Sequence, residues 1–242
     1  MPVDSNAERP AGNLAELRLQ IGRLQRSVRA PPPAVISLCD RIDRTLPGHG
    51  LARASVHEVL AADPGAAIGL CSLILGRAAG AVVWIGSDPD VWPQGLAAFG
   101  LLSDRLVLVD VRRSRDGLWA FEEALRSPGV AAAVLVVDRQ LPDLIAGRRL
   151  QLAAEAGGGI GLLLLPDTEL SPPSAARTRW RVGAALGQRC GDPCWSLSLL
   201  RCSGARPAKW TVTWNRVTGV LGVTPALPTE MLVTAMSGGG QH

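Results

Sequence analysis

Four apolar runs of strand length, each separated from the next by a helix-length segment, restrict this chain more than any other feature. They are Ala81–Gly86 (AVVWIG), Leu106–Val111 (LVLVDV), Ala131–Asp138 (AAAVLVVD) and Ile160–Leu165 (IGLLLL). A strand that is apolar on both of its faces is covered on both sides. Helices fit the intervals. One, over Ala67–Ala79, is expected just ahead of the first run. A second, Asp116–Ser127, carries Leu118, Phe121 and Leu125 at helical spacing and stops before Pro128. A third, Leu144–Ala156, runs into Gly157-Gly158-Gly159, a strong stop. Such alternation predicts an α/β domain with a mostly parallel central sheet. The last third changes character. Arg179–Ala184, Trp195–Cys202 and Trp210–Trp214 alternate with period two, and Ser203-Gly-Ala-Arg-Pro207 forms a turn between the last two. This predicts an antiparallel C-terminal hairpin on the sheet edge.

Of 242 residues, 47% are hydrophobic and 19% charged, enough for the core of one large α/β domain. The expected organisation is an N-terminal helix and linker over 1–34, the α/β domain over 35–226 and a weakly structured tail over 227–242. No apolar run approaches the roughly 18–20 residues that span a bilayer. Met-Pro-Val-Asp-Ser-Asn lacks the features of a secretory leader, so a cytoplasmic protein without membrane contact is expected. The five cysteines include Cys190, Cys194 and Cys202, but no second pair or nearby histidine completes a metal set. Reduced thiols and no metal are expected.

The chain has 24 arginines and one lysine, Lys209. Its first hundred residues are nevertheless laid out like the start of a P-loop nucleotide-binding domain. A P-loop uses a lysine ammonium for the β/γ-phosphates and a Ser/Thr hydroxyl for Mg²⁺. The corresponding stretch here reads Asp63-Pro-Gly-Ala-Ala-Ile-Gly-Leu70, with neither group. Gly65 and Gly69 are expected to form a turn that opens a helix. Ile68 and Leu70 would place apolar side chains where phosphate and Mg²⁺ should sit. The expectation is therefore a degenerate nucleotide site, Asp63, Gly65, Gly69, Asp88 and Asp138, with no catalytic residue and no cofactor.

Charge is uneven. Ser174–Arg216 carries +7 against +4 for the whole chain, which leaves about −3 elsewhere. Arg177, Arg179 and Arg181 alternate, so a strand projects all three to one face and Trp180 to the other. With Arg206 and Lys209 they form a candidate contact surface for DNA phosphates or for carboxylates of a partner. At the other end, Asn13 and Glu16 make a capping-box pattern. Leu14, Leu17, Ile21, Leu24 and Val28 follow at spacings of 3, 4, 3 and 4, a strict apolar seam. This helix packs on its own domain or on a partner. Trp84 and Trp119 are expected in the core, and Trp92 as a cap over the sheet end or an exposed anchor.

The order of parts resembles the RecA core ATPase fold. A glycine-containing loop leads into a helix. A strand then ends at Trp84-Ile-Gly-Ser-Asp88, and a later one at Val134-Leu-Val-Val-Asp138. In that resemblance Asp88 falls where the family keeps a catalytic glutamate, and Asp138 matches the Walker B aspartate that acts through Mg²⁺. Ser174–Arg181 matches the strand after the second DNA-binding loop. The stretch between Asp138 and Arg148 is too short for a long first DNA-binding loop.

A more specific resemblance is to the ImuA family. It is carried by His57-Glu-Val59, Val83-Trp-Ile-Gly86, Gly95–Leu101, Leu118–Arg126, Arg148–Ala156, Ala175–Val182 and Leu199–Cys202, spanning about residues 45–215. The resemblance implies a RecA-like fold and a non-catalytic accessory role in SOS-induced, error-prone translesion synthesis. Implied partners are RecA, an ImuB-like relative of Y-family polymerases and, indirectly, an error-prone polymerase III α-type subunit. DNA is a further candidate. Two alternatives stay open, an active RecA-like ATPase and a SulA-type division inhibitor.

Overall fold

The computed structural model describes residues 34–87, 91–138, 141–168, 173–187 and 191–224. Asp88, Cys190, the seam Leu14–Val28 and the expected tail lie outside these residues. Two short strands, β1 (Val35–Ile36) and β2 (Leu51–Ala52), pair antiparallel at the start. The main sheet contains β3 (Ser55–Ala61), β4 (Ala81–Gly86), β5 (Leu106–Asp110), β6 (Val130–Val136), β7 (Ile160–Pro166), β8 (Thr178–Ala184), β9 (Cys194–Cys202), β10 (Ala208–Asn215) and β11 (Val220–Thr224). Their order is β5-β4-β6-β7-β3-β8-β9-β10-β11. From β5 to β8 every pairing is parallel; β9, β10 and β11 continue antiparallel. The fold is therefore the expected α/β sheet with an antiparallel C-terminal extension. Four strands have no counterpart among the expected ones: the short β1 and β2, and in the main sheet the central β3 and the edge strand β11.

Among the described residues, five α-helices connect or flank the strands: α1 (Asp40–Asp43), α2 (Pro64–Arg77), α3 (Pro93–Ala97), α4 (Ser114–Arg126) and α5 (Leu144–Gly157). α2 starts at Pro64, whose fixed φ suits the first helical turn and whose missing N–H costs nothing there. Ala66 to Leu75 are buried except Ile68. A helix that is apolar all round needs cover on every side. The sheet provides one side, and Ile36, Leu38, Ile42 and Leu51 from the β1–β2 layer share its core cluster. At its far end, Arg105 donates to the carbonyls of Gly76 and Ala78. α5 is capped by Asp143, which accepts the Ala146 N–H at 2.7 Å, and it stops at Gly158 with φ +77°.

α2 and α3 lie on one face of the sheet, α4 and α5 on the other. Strand β4 leaves toward α3 and its neighbour β6 leaves toward α5. Their carboxyl ends therefore part at a topological switch point, where open α/β sheets bind ligands. Trp84 is fully buried, as expected, but Trp119 is 57% exposed. α4 turns Phe121 and Leu125 toward the sheet, and Trp119 lies two residues from Phe121, on the far side of the helix. Trp92, 70% exposed, is not a cap over the sheet.

Strand β3 is fastened to β8 on both faces. The register pairs His57 with Thr178 and Glu58 with Arg179. On the α2 face, Trp180 Nε1 donates to Thr178 Oγ1 at 2.8 Å, and Thr178 Oγ1 lies 2.7 Å from His57 Nδ1. His57 Nε2 lies 2.8 Å from the Ala52 carbonyl. A carbonyl only accepts and an indole only donates, so Nε2 carries the proton and Thr178 donates to a neutral Nδ1. Complete burial holds the His57 pKa down at about 4. On the α5 face, Arg179 Nε donates to Glu58 at 2.5 Å, and Ser174 donates to the same carboxylate.

Candidate functional site

The sequence-predicted residues fall at two opposite ends of the sheet. Asp63 and Asp138 lie at the carboxyl ends of the parallel strands. Arg177, Arg206 and Lys209 lie at or near the amino end of β8 and the β9–β10 turn that folds beside it.

At the carboxyl end, only Ala62 and Asp63 separate β3 from α2. A phosphate-binding loop needs a glycine-rich stretch here, long enough for successive N–H groups to surround a phosphate. The expected loop is instead the first two turns of α2, because Pro64 and the Asp63 cap start the helix at once. Asp63 Oδ1 accepts the Ala66 N–H at 2.7 Å. Pro64 has no N–H, so Gly65 holds the one donor of the first helical positions outside this cap. The helix N-terminus attracts anions, but here the protein's own carboxylate occupies that position. This corrects the expectation that Gly65 and Gly69 form a turn. Ile68 is half-buried and Leu70 sits in the core, so neither points into a phosphate site.

Gly69 is a packing residue. A Cβ added there would lie 2.7 Å from the Trp195 ring and 3.2 Å from Phe99. Trp195 is itself buried and packs against Phe99 with ring centroids 5.6 Å apart and planes tilted by 42°. Gly69→Ala is expected to destabilise the fold by about 1–3 kcal/mol through overpacking, read as a lower urea midpoint. An unchanged midpoint would show that Trp195 gives way and that the glycine has no packing role.

Asp138 follows β6 and is exposed. Its carboxylate accepts from Ser87 Oγ at 2.5 Å, tying the ends of β4 and β6 together. Beside this pair a cleft of about 300 Å³ opens at the switch point, lined by Ser87, Arg112, Arg113, Ser114, Leu135 and Asp138. The Asp138 strand and β3 are not adjacent; β7 lies between them. Among the described residues no group of three His, Cys, Asp or Glu side chains is placed to hold a metal ion.

The basic stretch divides into structural and exposed residues. Trp180 is buried toward α2 and the arginines take the other face, as the alternation predicts. Arg179, however, is not a surface residue. It is 7% exposed and spends its charge on Glu58. No local pattern signals this, because Glu58 lies more than a hundred residues earlier and meets Arg179 only through the β3–β8 register. Arg181 pairs with Asp167 at 2.6 Å. Arg201, missed by the sequence reading, donates to the Ala176 carbonyl at 2.6 Å. Arg177, Arg206 and Lys209 are exposed, and no salt bridge among the described residues holds them.

The extension also has two unlike faces. Trp195, Leu197, Leu199, Val212 and Trp214 belong to the core on the α2 side. Ser196 and Ser198 alternate with the first three, and Ser198 lies between Arg181 and Lys209 in the register. The opposite face of β8–β10 thus presents hydroxyls with Arg181 and Lys209 in one lateral row.

No protein-family model matches the chain. A search of solved structures finds the RadB recombinase, with a TM-score of 0.56 at 13% identity, covering 72% of this chain and 93% of that one. This likeness shows a RecA-like recombinase fold. Among curated proteins, Protein ImuA of Caulobacter vibrioides, in strains NA1000 / CB15N and ATCC 19089 / CIP 103742 / CB 15, is 36% identical over 213 residues. The match covers 77% of this chain and 86% of the relative. With that identity over most of both sequences, on a RecA-like sheet, the chain belongs to the ImuA family.

Proposed function

We propose that this chain is a non-catalytic accessory protein of SOS-induced, error-prone translesion DNA synthesis, acting through protein–protein contact. Its partners in this reading are RecA and an ImuB-like relative of Y-family polymerases, with an error-prone polymerase III α-type subunit acting downstream. The observation that carries the non-catalytic part is the two-residue connection from β3 to α2, closed by the Asp63 cap. No lysine or Ser/Thr follows it at the P-loop spacing. Phosphoryl transfer depends on positioned cations around the phosphates, and this turn provides neither cations nor a row of free N–H groups. The role itself is supported by membership of the ImuA family. Contact surfaces in this reading are the Leu14, Leu17, Ile21, Leu24 and Val28 seam and the exposed Arg177, Arg206 and Lys209.

The test uses a host strain lacking the gene. Damage-induced mutation frequency is expected to return equally with the wild-type chain and with Asp138→Asn. The purified protein is expected to hydrolyse no ATP above a blank. Measurable turnover that Asp138→Asn removes, together with lost mutagenesis, would establish a working ATPase instead. Filamentous growth on overexpression, without any effect on mutation frequency, would favour the division-inhibitor class.

A further inference from the structure

Helices α4 and α5 both link parallel strands, so both run antiparallel to the sheet and lie side by side. A groove of about 420 Å³ opens between them, lined by Leu118, Trp119, Glu122, Ala146, Arg149 and Leu150 among others. Its outer lip is apolar where a surface helix is normally polar. Trp119 is 57%, Ile145 72% and Leu152 64% exposed, and Ile145 and Leu152 are seven residues apart on one stripe of α5. Of the charges lining the groove, Glu122 pairs with Arg149 and with the neighbouring Arg126, while Arg115 and Asp116 stand exposed at the start of α4. The surface therefore has an apolar lip, with one exposed guanidinium and one exposed carboxylate confined to the α4 start.

The sequence contains one unmatched counterpart, the seam Leu14, Leu17, Ile21, Leu24 and Val28. We propose that this segment, as a helix, lies in the α4–α5 groove of its own chain. Length agrees. At 1.5 Å per residue the seam is about 22 Å long, and the 13- and 14-residue helices α4 and α5 are about 20 Å and 21 Å. The point of entry agrees as well. The Ala34 carbonyl accepts the Arg53 N–H at 2.9 Å, and Arg53 Nη2 donates to the Ala131 carbonyl at 3.0 Å. Ala131 is at the start of β6, the strand into which α4 delivers the chain. Residues 29–33 thus connect the seam to the end of the fold where α4 and α5 finish, across a reach of up to about 18 Å. Val28 then lies near Arg126, and Leu14 near the starts of α4 and α5. Of the seam-flanking positions Asn13, Arg18, Gln20, Gln25 and Ser27, only Arg18 is charged, and the exposed Asp116 of the groove lining offers it a carboxylate. A partner that binds either surface must first separate the two. The docking itself holds whichever protein that partner is.

The test labels the full chain with 5-fluorotryptophan and reads the fluorine resonances beside a soluble gadolinium chelate, with W119F to assign Trp119. In the wild type, the Trp119 line is expected to be relaxed far less than that of exposed Trp92. In Leu17→Asp/Leu24→Asp, its relaxation is expected to rise several-fold, to the level of Trp92, while the lines of buried Trp84 and Trp180 stay unchanged. Ile145→Arg, on the groove side, is expected to release the seam and speed tryptic cleavage at Arg18 and Arg23. Equal Trp119 relaxation in the wild type and the double aspartate variant would overturn the proposal. Protection that disappears on dilution, as a sedimenting dimer dissociates, would assign the seam to a second copy and overturn docking within one chain.

Discussion

Arg179→Ala is expected to lower the unfolding free energy by about 3–5 kcal/mol, the usual cost of leaving one charge of a buried pair alone. The Glu58 carboxylate would lose its 2.5 Å partner in the centre of the sheet, where it is 5% exposed. Replacing both residues with apolar ones of similar volume, Glu58→Leu with Arg179→Met, is expected to recover most of that loss, because neither charge then needs compensation. Urea unfolding of the two variants at neutral pH tests this. The result separates two views of the basic stretch. A fully folded Arg179→Ala that loses affinity for DNA or a partner would return Arg179 to the contact surface. By contrast, Arg206→Ala and Lys209→Ala, on exposed positions, are expected to leave stability within about 0.5 kcal/mol.

Acidification is expected to cost about 3 kcal/mol through His57 alone. Burial holds its folded pKa at about 4, against 6.5 for an unperturbed imidazole. Between these values the unfolded chain binds a proton that the native state does not. Stability therefore rises with pH from about 4 to 6.5 and is flat in this term above 6.5. The gap of roughly 2.5 units, at 1.36 kcal/mol per unit, gives the magnitude. The network explains the direction. Nδ1 accepts the Thr178 hydroxyl, so a proton there would force that hydroxyl to turn its hydrogen away from the ring while burial already disfavours the charge. Unfolding curves at pH 7, 5.5 and 4.5 for the wild type and His57→Gln are expected to converge at low pH. An equal acid slope in both proteins would show that carboxylates, not His57, govern acid stability.

The legible part of the fold is the part that repeats locally. β4, β6 and β7 are apolar at nearly every position, and α5 carries both its aspartate cap and its glycine stop, so their boundaries follow from residues within one element. β3 was harder to read. Ser55-Val-His-Glu-Val-Leu-Ala61 holds two polar residues at its centre, and they become core residues only because β8 brings Thr178 and Arg179 opposite them. β11, with Gly222 and two exposed positions, has too weak an alternation to stand out. Trp119 was misplaced because helical spacing gives a periodicity without fixing which side faces the sheet.

The candidate site divides in the same way. The missing lysine and hydroxyl are properties of the sequence, and no folding could restore them. The length of the β3–α2 connection is not. Asp63 and Gly69 read as parts of a loop until the cap and the Trp195 ring are placed beside them. Sequence by itself determined the α/β class, strands β4, β6 and β7, and the absence of the P-loop lysine and Ser/Thr, because periodicity, caps and residue identity are local. Tertiary structure alone decided which arginines are surface and which are core. A guanidinium's role depends on the carboxylate or carbonyl that reaches it, and those partners come from strands and turns distant in the chain.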